Sequence, residues 1–132
     1  MSYPAPVIGH WMSTSLITMK PKKTLDEAKE LMHEARIRHL LIVGPKGELA
    51  GILSSRDADR HGDLTAKIEA AMTPRAKLHV TDAYDTVRAA AEAMCREKIS
   101  ALPVLQGEKL VGIVTSEDLL WALLQDETHE GA

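Results

Sequence analysis

This chain contains the same short segment twice, and that duplication constrains its fold more than any other feature. Setting residues 16–57 against 78–118 aligns Leu16 with Leu78, Thr24 with Thr86, Ala28 with Ala90, Met32 with Met94, Ile37 with Ile99 and Leu40 with Leu102. After a short indel, where "GPKGEL" stands against "QGEKL", the match resumes at Leu49/Leu110, Gly51/Gly112, Ile52/Ile113, Ser55/Ser116 and Asp57/Asp118. Upstream, "WMSTS" and "AMTPR" share Met12 and Met72. Self-similarity of this kind is the mark of one supersecondary unit built twice.

Each copy has the same local grammar. Thr24-Leu25-Asp26-Glu27 is a capping-box pattern, and the helix it opens carries Leu25, Ala28, Leu31, Met32 and Ala35 at helical spacing. In the second copy Val87, Ala90, Ala91 and Met94 hold the matching face. Two apolar strands around a tight Gly-containing turn follow, His39–Val43 with Leu49–Ser54 and Ala101–Leu105 with Lys109–Thr115. A second helix succeeds each hairpin, and 58–71 is a partly helical connector. The order is β-α-β-β-α, twice, an α+β fold with repeats over 12–70 and 72–130. A copy of about sixty residues buries only a modest core alone. The two are therefore expected to pack sheet to sheet, with pseudo-twofold symmetry.

Composition excludes some functions. The chain has 132 residues, a net charge of −3 with both signs interspersed, 3% aromatic residues and no Phe. A nucleic-acid surface needs a basic patch and usually stacking aromatics, so that class is disfavoured. One cysteine, Cys95, cannot form an intrachain disulfide and fits a reducing compartment. It follows Met94 in a helical pattern and is expected to be buried. The opening "MSYPAPVIGHWMS" lacks the basic-then-apolar order of a signal peptide, and no apolar run is of membrane-spanning length. The expectation is a cytoplasmic protein. The histidines at 10, 33, 39, 61, 79 and 129 show no metal-ligand spacing.

The phrase that closes each hairpin, "GILSSRD" and "GIVTSED", carries the chemistry. Ser54-x-x-Asp57 and Thr115-x-x-Asp118 fit a helix cap, in which a hydroxyl is followed three residues later by a carboxylate. The same residues suit a ligand. A hydroxyl can donate to a phosphate oxygen, and an acceptor-only carboxylate can take both hydroxyls of a ribose. Gly51 and Gly112 leave room for close approach of a ligand or a neighbouring backbone. Cap and site both remain open on these grounds.

Two β-α-β-β-α copies each ending in this phrase resemble a tandem pair of cystathionine β-synthase (CBS) domains, a Bateman module, as found in free-standing CBS-domain proteins. The residues that carry the resemblance are "AMTP" at 71–74, "ISALPVL" at 99–105, "KLVGIVTSEDLL" at 109–120, "RIRHLLIV" at 36–43 and "ELAGILSSRD" at 48–57. The resemblance implies a sensor and not an enzyme. It implies binding of an adenine nucleotide (AMP, ADP or ATP), or of S-adenosylmethionine, in clefts between the repeats, with no required cofactor. On the family's pattern Thr115 meets phosphate and Asp118 the ribose in one site, and Ser54 and Asp57 do so in the other. Arg38 and His39, and Ser100, Ala101 and Pro103, would line the same clefts. His39 is cationic only below about pH 6.5 unless its environment shifts it.

The copies also differ. Pro103 in "ALPV" faces Leu41 in the alignment, and basic Arg38 and His39 face neutral Ser100 and Ala101. The two sites are expected to be unequal, one good and the other weak or empty. A helix salt bridge from Glu34 competes as an explanation for Arg38. The last helix carries six consecutive apolar residues, Leu119 to Leu124, more than one buried stripe can hide. Leu120, Trp121 and Leu124 are expected in a homodimer interface or a docking surface for a regulated partner, unless the first copy's helices cover them. A ligand-free interaction module using these helices is the alternative to the sensor.

Overall fold

The computed structural model describes residues 3–131, with side chains through residue 125. The architecture is α+β, with two sheets of order β1-β2-β3-β4 and β5-β6-β7. The chain divides into two compact units, Ile17–Leu78, and the stretch up to Leu16 together with the chain from His79 onward.

In the unit Ile17–Leu78, β1 (Thr18–Met19) runs parallel to β2 (His39–Val43), which forms a hairpin with β3 (Leu49–Ser54). A short β4 (Thr73–Pro74) closes the outer edge, antiparallel to β3. The helix α2 (Leu25–Ala35) starts on a full capping box, Thr24 accepting from the Glu27 N–H while Glu27 reaches back. Its buried face, Leu25, Ala28 and Met32, packs with Leu40, Ile42, Leu53, Ala58 of α3 (Ser55–His61), and Ile68.

The other unit repeats the plan. β5 (Thr81–Asp82) runs parallel to β6 (Ala101–Gln106), which pairs with β7 (Lys109–Thr115). The helix α4 (Val87–Glu97) starts at Thr86, whose hydroxyl accepts from the Ala89 N–H; with Ala89 where α2 has Glu27, the reciprocal bond has no acceptor. Ala90 and Met94 join Leu102, Val104, Val114 and Leu119 of α5 (Ser116–Gly131) in the core. Both α2 and α4 end on a left-handed residue at equivalent positions, Arg36 (φ 57°) and Lys98 (φ 56°).

The two sequence copies and the two spatial units do not coincide. Residues ahead of the aligned stretch 16–57, α1 (Ile8–Trp11) with Met12 and Ser13, belong to the unit built on the second copy. Ile8 is fully buried there, its N–H donates to the Asp85 carbonyl, and Val7 bridges Thr86. The segment ahead of the second copy does the same for the first. Ile68 is fully buried, its N–H donates to the Lys23 carbonyl, and Lys67 bridges Thr24. Each repeat is thus completed by the leader of the other. Ser13 pairs with Ile113 as Thr73 pairs with Ile52, which lays Met12 on Gly112 and Met72 on Gly51. Close approach at both glycines is made by protein backbone and methionine.

Two expectations are corrected. Cys95 is exposed, because a residue one step past buried Met94 is rotated about 100° off the core face. Arg38 lies beyond the end of α2, after the left-handed turn at Arg36, so it does not sit on a helix face above Glu34. In α5 only Leu119 and Ala122 of the apolar run are buried; Leu120, Trp121, Leu123 and Leu124 are exposed.

Candidate site at the hairpin ends

The hairpin register gathers the candidate residues. In β2/β3 His39 stands opposite Ser54, and in β6/β7 Ala101 stands opposite Thr115. The strands are latched one residue further out. Ser55 N–H donates to the Arg38 carbonyl at 2.9 Å, and Ser116 N–H to the Ser100 carbonyl at 2.9 Å. The residues entering the first hairpin strand are thereby held against the start of the following helix.

At that helix start the hydroxyl and carboxylate lock together. Asp57 N–H donates to Ser54 Oγ at 3.0 Å and Ser54 N–H to Asp57 Oδ2 at 3.4 Å. Thr115 N–H and Oγ1–H donate to Asp118 Oδ2 at 2.8 and 3.1 Å, and Asp118 N–H returns to Thr115 Oγ1 at 3.4 Å. The cap reading of the motif is realised in both copies. These bonds fall on one oxygen, Oδ2, and an ionised carboxylate has roughly four lone-pair sites over two oxygens. Capping therefore leaves Asp57 and Asp118 chemically able to accept further hydroxyls.

The electrostatics of the two places differ. Arg60 Nη1 lies 4.0 Å from Asp57 Oδ1. Burial pushes the His39 imidazole below its ordinary pKa, opposed by the Asp57 carboxylate and aided by the Arg38 charge. Ala101 is buried, and Ser100 is exposed. Pro103 stands apart from this cluster. It is fully buried inside β6 opposite Ile113, two residues along the strand, as Leu41 is opposite Ile52. Among the described residues no group of three or more His, Cys, Asp or Glu is placed to hold a metal ion.

A family model for the CBS domain matches the chain twice, over residues 8–61 and 68–125. The chain belongs to the CBS-domain family. Both matches begin at the buried isoleucines of the exchanged leaders, Ile8 and Ile68. Among curated relatives, homoserine O-acetyltransferase of Methanococcoides burtonii is 34% identical over 110 residues, 82% of this chain and 22% of that protein. The chain spans about a fifth of the length of the curated relatives it first matches. Among solved structures, a CBS domain pair in complex with 5′-methylthioadenosine and S-adenosyl-L-methionine superposes with a TM-score of 0.84 at 29% identity, over 93% of this chain and 99% of that one. A CBS protein in complex with AMP superposes with a TM-score of 0.81 at 25% identity, over 92% and 98%. No helix among the described residues is long and apolar enough to cross a membrane.

Proposed function

We propose that this CBS pair is a regulatory, non-catalytic module that binds an adenine nucleotide or a related adenosyl ligand. One observation carries the reading: the hydroxyl–carboxylate pair recurs in both units, each time beside the residues that open the hairpin. The complexes of similar CBS pairs with AMP, and with 5′-methylthioadenosine and S-adenosyl-L-methionine, support the ligand class. In this reading Asp57 and Asp118 accept ribose hydroxyls, Ser54 and Thr115 donate toward phosphate or its replacement, and Arg38, His39, Ser100 and Ala101 border the ligand. Pro103 acts from the strand interior, by fixing the backbone ahead of the site. The repeats run over 12–70 and 72–130, and the module works in the cytoplasm. Binding changes affinity for a regulated protein by favouring one of two arrangements.

The exposed apolar residues of α5 favour a companion role in assembly. Leu120, Trp121 and Leu124 form a homodimer interface in this reading. The rival is a ligand-free docking module that uses the same helix. Calorimetric titration with AMP, ADP, ATP and S-adenosylmethionine decides, run on the natural chain and on Asp57→Ala and Asp118→Ala. Saturable binding lost in one variant supports the sensor. A folded natural chain that binds none of the four overturns it.

A further inference from the structure

The equivalent positions around the two hydroxyl–carboxylate pairs differ in charge at every point where the first copy is basic. Arg38 corresponds to Ser100, His39 to Ala101, Arg56 to Glu117 and Arg60 to Trp121. Three of these positions are fixed near the pair by geometry in the first unit. The Arg38 carbonyl latches Ser55, His39 faces Ser54 across the hairpin, and Arg60 lies 4.0 Å from Asp57. In the second unit the same latch and the same register present a serine and an alanine. The carboxylates Glu117 and Asp118 stand there in the first turn of α5. The backbone frame is conserved between the units, while its basic groups are lost in the second and one of them is replaced by a carboxylate.

We propose that the two sites are sorted by ligand charge. The site of Ser54 and Asp57 takes a phosphorylated adenosine. The site of Thr115 and Asp118 takes an adenosine compound without phosphate, either uncharged or cationic. This rests on the adenosyl-binding reading above and replaces its weak-or-empty second site with one of different selectivity. A phosphate beside Arg38 and Arg60 gains charge-assisted contacts. Beside Glu117 and Asp118 it meets two like charges with no cation at positions 100 and 101. A thioether loses nothing there, and a sulfonium gains attraction.

The test is titration with AMP and with 5′-methylthioadenosine, each alone and in the presence of saturating amounts of the other. The natural chain, Arg38→Ser/His39→Ala, Asp118→Ala and Ser100→Arg/Glu117→Arg are compared. The two ligands should bind together, one of each per chain. Arg38→Ser/His39→Ala should weaken AMP on the order of tenfold and leave methylthioadenosine unchanged. Asp118→Ala should do the reverse. Raising salt from about 50 to about 300 mM should weaken AMP and spare methylthioadenosine, since only the former relies on screened charge. The Ser100→Arg/Glu117→Arg change lies at exposed positions and should add a second AMP site even where the His39 variant folds poorly. Full mutual displacement at one shared site, or AMP binding lost in Asp118→Ala and kept in Arg38→Ser/His39→Ala, overturns the sorting while adenosyl binding stands. Binding of neither ligand by the folded natural chain overturns both.

Discussion

Met12 lies directly over Gly112, so that a Cβ added to the glycine would stand 2.7 Å from the methionine sulfur and 2.8 Å from the Ser13 carbonyl oxygen. Met72 holds the same position over Gly51. Gly112→Ala should therefore destabilise its unit by about 1–3 kcal/mol, the usual cost of overpacking, read as a lowered midpoint in urea. Met12→Ala in the same chain should recover only part of that loss, because the Ser13 backbone cannot retreat like a flexible thioether. Full recovery would mean that the sulfur alone sets the fit.

The exchanged leaders make a second claim on stability. Ile8→Ala and Ile68→Ala should each cost about 2–5 kcal/mol, as for other fully buried isoleucines. Neither position is in the central strands. A loss at Ile8 below 0.5 kcal/mol, on the same order-of-magnitude scale, would show that the first segment is loosely attached.

Acid should weaken the fold through His39. Its folded pKa is lowered by burial, so below the unfolded value the unfolded chain binds more protons than the native one. The contribution is fully present above about pH 6.5 and is lost as pH falls through the depressed folded value. His39→Gln should flatten that part of the stability–pH curve measured by chemical denaturation. An unchanged curve would assign the acid sensitivity to another group.

Self-association should depend on α5. Trp121→Asp and Leu124→Asp alter residues that are 59% and 49% exposed, so each should leave the monomer fold intact and shift the proposed dimer to monomer in analytical ultracentrifugation. A natural chain that sediments as a monomer would leave this face to a different protein.

Much of this was legible in the sequence for a local reason. The hairpin strands His39–Val43 and Leu49–Ser54 are short apolar runs around a Gly-containing turn, and the structure reproduces them residue for residue. The caps at Thr24, Ser54 and Thr115 depend on neighbours three residues away. What escaped was non-local. Ile8 and Ile68 are offset from each other by a different spacing than the copies themselves, so alignment of the copies does not expose their exchange. A signal existed: Ile8 and Met12 share their spacing with Ile68 and Met72. The exposure of Cys95 is hidden in the sequence because it adjoins a core residue, whereas a helix turns the next side chain away. The cations near this pair are half visible in the sequence: Arg38 and His39 stand at the opening of β2, while Arg60 reaches Asp57 only through the turn of α3.

The crossed leaders also order events during synthesis. Residues 7–13 leave the ribosome ahead of the whole unit Ile17–Leu78, yet their resting place on β7 is made only after that unit. The repeat around β2 and β3 can close once residues 67–74 have emerged. Ile8 and Met12 must meanwhile stay in water or in borrowed contacts. A ribosome paused once residue 78 has cleared its exit tunnel should hold one closed unit and one apolar head still waiting for its sheet.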